Sequence, residues 1–252
     1  MIRYSSADGI ATLTLSRPPV NAIDAAFVAA FTGALDRAEA EAVTVLMIRS
    51  DQKCFCAGAA LSQIAAYFDD PKGVAAMSDY VKSLHVIYDR LEAFPAITLA
   101  AIDGPALGGG LEMALACDLR VATTRAKLGL PEARVGMIPG AGGTQRLTRL
   151  CGPGVAARII LGCEIVDGAE AARLGIVQWS CPPEALDAEV AAIAGRVAGL
   201  SRQALLLSKD CIAAYDDPAR DGFARELDAP GLLIPTEEAR SRVLNFFQRK
   251  AG

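Results

Sequence analysis

A single histidine, His85, occurs in the whole chain, and that scarcity removes several chemistries at once. One histidine cannot build a zinc site of the HExxH kind, and Cys54 and Cys56 have no second cysteine pair to complete four ligands. A serine triad would have to take His85 as its base. That residue lies in the helical pattern Tyr80-Val81-Lys82-Ser83-Leu84-His85-Val86-Ile87-Tyr88, and no GxSxG elbow accompanies it. The GxxxxGK[ST] phosphate loop is missing as well. No apolar run approaches the roughly 18 to 20 residues of a membrane span. Positive charge is not in excess either: 25 basic against 29 acidic side chains leave a net charge of −4, which excludes a nucleic-acid binder held by bulk electrostatics. The seven cysteines are odd in number and scattered, a pattern of reduced thiols rather than of a disulfide framework. The first residues, Met1-Ile2-Arg3-Tyr4-Ser5-Ser6, have neither the basic start nor the apolar core of a signal peptide. A cytoplasmic location with no membrane partner is therefore expected.

What is present is a 252-residue chain, 52 % hydrophobic and 21 % charged, enough for one large core with an appendage. Residues 2–5 and the alternating Ile10-Ala11-Thr12-Leu13-Thr14-Leu15 read as a hairpin about Ala7-Asp8-Gly9. Asp24 is placed to cap a helix whose apolar face is Phe27, Phe31, Ala34, Leu35 and Ala38. Strands follow at 43–48, 97–102, 119–122 and 176–179, with a long helix ending near Glu92 and a capped helix opening at Asp167. Glycine-rich loops at 104–110 and 136–143 punctuate them, and from Pro183 onward everything reads helical. The class is α/β, repeated ββα-like turns followed by a helical region. One motif misleads. Gly152-Pro153-Gly154-Val155-Ala156-Ala157 fits the GxGxxA of a dinucleotide site, but a helical pattern precedes it where that fingerprint demands a strand. It reads as a turn between helices, which weakens a nicotinamide-dependent oxidoreductase as an alternative; no YxxxK pair supports one either.

Two carboxylates stand out. Gly108-Gly109-Gly110 precedes the apolar stretch Leu111-Glu112-Met113-Ala114-Leu115-Ala116-Cys117. Glycines at a helix start leave backbone N–H groups open to an anion or a developing oxyanion. Glu112 on such a helix is buried at a desolvation cost, unless it faces solvent or pairs with an arginine. Glu132 follows Pro131 between the glycine-rich turns, and alone it has the ordinary reading of a surface residue. Together, two carboxylates beside an N–H nest suit acid/base addition of water to an activated carbonyl compound.

Ile102-Asp103-Gly104-Pro105-Ala106-Leu107-Gly108-Gly109-Gly110-Leu111-Glu112, Leu130-Pro131-Glu132 and Gly136-Met137-Ile138-Pro139-Gly140-Ala141-Gly142-Gly143-Thr144-Gln145-Arg146-Leu147 resemble the signature of the crotonase family, which includes enoyl-CoA hydratases. Asn21-Ala22, the Phe55-Cys56-Ala57-Gly58-Ala59 loop, residues 167–177 and the Phe246-Phe247-Gln248-Arg249-Lys250 end resemble it in order. The resemblance implies a crotonase-like spiral of ββα units over residues 1–190 and a helical oligomerisation region over 191–252. It implies Glu112 and Glu132 as catalytic glutamates of an enoyl-CoA hydratase, and the amides of Ala59 and Gly109 as the oxyanion hole. It implies substrate contacts from Ala22, Ala57, Leu61, Gly140, Phe246 and Arg249. Coenzyme A would be part of the substrate, with no metal or redox cofactor. A homo-oligomer built on trimers, either a trimer or a dimer of trimers, is expected, in keeping with apolar helical positions such as Leu205, Leu206, Ile212 and Ala213. A double-bond isomerase is the alternative within the family, and a catalytically silent thioester binder a third reading. The chain departs from the family at Ala60, where Asp is usual, so the grip on the coenzyme is the least predictable part.

Overall fold

The computed structural model describes residues 1–215 and 217–250, and side chains up to Gln248. Strands β1 (Ile2–Ala7) and β2 (Ile10–Leu15) form the opening hairpin. Its turn residues Asp8 and Gly9 have φ of +51° and +75°, the left-handed pair that a two-residue hairpin turn requires. Helix α1 (Ala25–Ala40) starts where Asp24 accepts a hydrogen bond from the Phe27 N–H at 2.9 Å, and buries the five apolar residues its spacing predicts. Then come β3 (Val45–Ser50), α2 (Leu61–Phe68), α3 (Gly73–Glu92), β4 (Ile97–Ile102), β5 (Pro105–Leu107) and α4 (Gly109–Leu115). They are followed by β6 (Leu119–Thr123), β7 (Lys127–Gly129), α5 (Gly143–Ile160), β8 (Val166–Asp167), α6 (Gly168–Arg173) and β9 (Trp179–Cys181). Helices α7 (Leu186–Ala198), α8 (Arg202–Ala213), α9 (Gly222–Leu233) and α10 (Glu237–Lys250) complete the chain.

The strands form two sheets, a six-stranded one in the order β1-β2-β3-β4-β6-β9 and a three-stranded one in the order β5-β7-β8. In the large sheet only the β1/β2 pair is antiparallel. Strand β4 is buried along its whole length, as a parallel strand covered on both faces must be. This mixed α/β architecture of strand, loop and helix repeats, with helices at the end, is the class expected from the sequence. The small sheet was not foreseen, because strands of two or three residues carry no readable periodicity. The last strand is also displaced from 176–179: Ile176 donates its N–H to Ala171 O at 2.8 Å and stays with the end of α6, so pairing with β6 begins at Trp179. At Gly152, with φ +81° and ψ +163°, the helical path of α5 breaks. No strand leads into it, so the GxGxxA motif is a helix kink.

Two compact units result, Met1–Gly195 and Arg196–Gly252, with the division expected after residue 190 falling inside α7. The first holds the main core, in which Phe27, Phe31, Tyr88, Leu111 and Met113 are fully buried. In the second, Ser201 caps α8, and Arg220 and Arg225 both reach the Asp210 carboxylate. No single helix among the described residues is long and apolar enough to cross a membrane.

Candidate active site

Three loops of the first unit meet around the N-terminus of α4. The first, 17–24, is pinned by Asn21, which is fully buried with φ +52°. Asn21 Oδ1 accepts from the Arg17 N–H at 2.8 Å, while Nδ2 donates to Ser50 Oγ, Cys54 O and Phe55 O at 2.8, 3.2 and 2.9 Å. A buried amide satisfied at this many points fixes the second loop, 54–60, against the first. Ile23 N–H donates to Gly58 O at 2.9 Å and Ala60 N–H to Ile23 O at 2.8 Å, so Ala59 is held between two backbone bonds.

The second loop lies directly on the third segment, 107–110. Leu107 N–H donates to Cys56 O at 3.0 Å, and Gly108 N–H to Gly129 O at 3.0 Å. A Cβ at Gly110 would stand 2.1 Å from Cys56 O, and one at Gly58 would stand 3.0 Å from Gly109 N. Only glycine permits this approach. A Cβ at Gly109 would lie 3.7 Å from Ala59 N, so the two amides are near neighbours. Neither donates to a backbone or side-chain acceptor among the described residues. Gly109 is the first residue of α4, where an N–H has no partner within its own helix. Two open amides at one spot form a cradle for an oxygen that acquires negative charge.

Both glutamates lie near the start of α4. Glu112, on the first turn of α4, is 2 % exposed. Its Oε1 accepts from the N–H of Ala141 at 2.8 Å and of Gly143 at 2.7 Å. Gly143 has no side chain where a Cβ would stand 2.9 Å from that oxygen. Burial pushes the carboxyl up to about 7, aided by the negative charge of Glu132; the Gly143 and Ala141 amides and Arg146 pull the other way without offsetting it. Glu132 opens a 3-10 turn, Glu132–Val135. Its Oε1 lies against Gly108, 2.8 Å from where a Cβ would be, and its buried Oε2 has no hydrogen-bond partner. Burial raises its pKa above the usual carboxylate range. Two carboxyls whose pKa values are raised, Glu112 to about 7 and Glu132 by burial, are equipped to take a proton on one side of a bound molecule and give one on the other.

Of the other residues singled out from the sequence, Ala22 gives its carbonyl to Arg17 Nη1 at 2.8 Å. Ala57 is exposed and donates its N–H to Val20 O at 3.0 Å. Leu61 opens α2 and is 58 % exposed. Gly140 is in the loop that holds Glu112, where a Cβ would lie 3.7 Å from Val81 of α3. Phe246 belongs to the second unit and meets Phe247 edge-on at 5.8 Å. The Arg249 side chain lies outside the described residues. Ala60 occupies the N-cap position of α2 and makes no side-chain cap bond; the usual Asp would supply one, worth about 1 kcal/mol in helices generally.

Sequence reasoning missed the residues that hold the loops from behind. Arg146, with a buried side chain, donates from Nη1 to Ala141 O at 3.0 Å, from Nε to Glu92 at 2.8 Å and from Nη2 to Asp89 at 2.6 Å. Tyr88 and Tyr80 donate to Gly109 O and Ile23 O at 2.7 and 2.9 Å. A signal was there. A tyrosine at a core-facing helix position must find a partner for its hydroxyl, and both interrupt the apolar stripe of α3.

A family model described as enoyl-CoA hydratase/isomerase matches residues 5–250. A probable enoyl-CoA hydratase of Bacillus subtilis is 35 % identical over 244 residues, covering 96 % of this chain and 93 % of that protein. The 2,3-dehydroadipyl-CoA hydratase of Escherichia coli is 33 % identical, over 94 % and 92 % of the two chains. Among solved structures, an enoyl-CoA hydratase from Bacillus anthracis superposes with a TM-score of 0.89 at 32 % identity, over 99 % of this chain and 96 % of that one. With the family model spanning nearly all of the sequence and the fold matching throughout, the chain belongs to the enoyl-CoA hydratase/isomerase, or crotonase, family.

Proposed function

We propose that this protein is an enoyl-CoA hydratase, which adds water reversibly and syn across the double bond of a 2-enoyl-CoA to give a 3-hydroxyacyl-CoA. The observation that carries this reading is a pair of carboxyls raised in pKa, Glu112, buried on the first turn of the helix that begins with the open Gly109 amide, and Glu132, half-buried against Gly108. Attack of water on C3 pushes the electron pair of the double bond toward the thioester oxygen. The two amides stabilise that enolate charge, and losing one such donor costs on the order of 3 kcal/mol in comparable enzymes. Glu112, with a pKa of about 7, takes the proton of the attacking water; its Oε1 bonds to Ala141 and Gly143 fix its direction. Glu132 delivers a proton to C2 as the enolate collapses. The electron balance closes within substrate and water, so the reaction as proposed calls for no metal or redox cofactor. Relatives named as hydratases support the choice over other chemistry of the family.

The experiment is direct. Purified protein mixed with a panel of 2-enoyl-CoA thioesters should bleach the conjugated chromophore and place oxygen from labelled water on C3. Loss of the chromophore without label on C3, or no turnover with any member, would overturn the proposal.

We further propose that the active form is a trimer or a dimer of trimers. Support comes from the second unit, where Ile212, Phe223, Leu227 and Ile234 are 76, 82, 81 and 76 % exposed, more large apolar surface than a short helical segment normally leaves to water. Light scattering at micromolar concentration should give three or six times the 26.3 kDa chain mass, and a monomer would refute it.

A further inference from the structure

The run 108–110 is all glycine, so no side chain of its own restrains the backbone about Gly109; on one side the Glu112 N–H holds Gly108 O at 2.9 Å, and the other side is open to fixing from elsewhere. Glycine loses more conformational freedom than any other residue on being ordered. A donor placed there is useful for charge stabilisation only if something else fixes its direction, because stabilisation depends on groups oriented before the reaction starts. The fixing groups on that other side come from α3. Tyr88 is fully buried, and its hydroxyl donates to Gly109 O at 2.7 Å. Burial holds the phenol well above its ordinary pKa, so it remains a neutral donor at every working pH. About two turns earlier on the same helix, buried Tyr80 donates to Ile23 O at 2.9 Å, the carbonyl that also accepts from the Ala60 N–H. One rigid helix thus grips the backbone next to each open amide.

We propose that Tyr88 is a positioning residue for the reaction: its hydroxyl holds the 109–110 peptide, so that Gly109 is fixed on the side opposite the Glu112–Gly108 bond and its amide stays aimed at the thioester oxygen. The proposal rests on the oxyanion role assigned above to Gly109. Tyr88 touches neither substrate nor reacting atoms. It acts by holding the peptide that follows Gly109, where no side chain of the glycine run itself limits rotation. The bound thioester should therefore be gripped as before and polarised less.

Tyr88→Phe removes one oxygen and retains the ring. Two readouts separate positioning from mere structure. The first is kcat against KM for 2-enoyl-CoA hydration: kcat should fall about tenfold, the scale of a misdirected donor, while KM changes less than about twofold. The second is the absorption of a bound aryl-conjugated enoyl-CoA, which moves to longer wavelength as its carbonyl is polarised. That shift should shrink in the variant. Ile87→Val, a buried change on the same helix, serves as the control for simple destabilisation and should lower Tm with the spectral shift intact. A Tyr88→Phe protein with lower Tm but unchanged kcat and unchanged spectral shift would overturn the inference. The two ideas fail differently. If the protein binds and polarises enoyl thioesters without adding water, the hydratase reading is wrong and the spectral test of Tyr88 still stands. If wild-type protein binds the probe with no shift at all, the oxyanion role of Gly109 and this inference fall together.

Discussion

Glu112→Gln is expected to lose at least about 100-fold in hydration, the scale of a positioned acid or base, and yet to be more stable than the parent at pH 8. The glutamine oxygen can accept the same Ala141 and Gly143 N–H bonds, so the variant stands for the protonated acid. Raising the folded-state pKa of this carboxyl from 4.5 to about 7 means that the folded chain holds a proton that the unfolded chain releases. Stability should therefore fall as pH rises from about 4.5 to about 7, and the full penalty, on the order of 3 kcal/mol, should persist above that window. The glutamine variant has no charge to bury. Its advantage in a denaturant titration should be present at pH 8 and vanish near pH 4. Glu132→Gln should lose hydration on the same scale, and in both variants the affinity for a saturated acyl-CoA should hardly change. A different outcome would mark an isomerase: one variant inactive, the other near wild type, and deuterium moved between C2 and C4 with no oxygen at C3. Full hydration by either variant removes that residue from the mechanism.

Gly109→Pro should cost about 100- to 1,000-fold in kcat, the range seen when an oxyanion donor is removed, with the fold retained. Proline is tolerated at the first residue of a helix, where the N–H has no intrahelical partner, and Gly109 holds that place in α4. The substitution deletes the donor, and since its ring also adds a Cβ beside Ile23 and Gly58, alanine at the same place is the control for crowding. Gly109→Ala keeps the N–H but sets a methyl 3.3 Å from Ile23 Cδ1 and 3.6 Å from Gly58 Cα, so its loss should be smaller and arise from crowding. Circular dichroism would establish that both variants fold; near-full turnover by folded Gly109→Pro would show that this amide is not used.

The glutamates were readable because their neighbours are unusual. A carboxylate in an apolar run after three glycines, and another between glycine-rich turns, are local anomalies. Helix α1 was legible down to its cap for the same reason: Asp24 and the spacing of Phe27, Phe31 and Leu35 are local facts. What escaped was non-local. Asn21 reaching Phe55, Arg146 reaching Ala141 and Tyr88 reaching Gly109 each join segments that only the folded chain brings together. The small sheet failed on length, and the shifted last strand on competition, since Ile176 bonds back to α6 instead of pairing.

The stacking of Gly110 on Cys56 O and of Gly58 on Gly109 N has an evolutionary consequence. Main chain rests on main chain there, so the gap between the two amides is set by the covalent skeleton, with a few buried side chains such as Asn21 and Tyr88 holding it from behind. Mutation can rewrite α2 and the exposed face of α3, where Leu61, Phe68 and Val74 are open to solvent, without moving the two amides relative to each other. The exposed residues of α2 and α3 are thus free to drift, while the spacing of the two amides is inherited with the glycines and the buried side chains behind them.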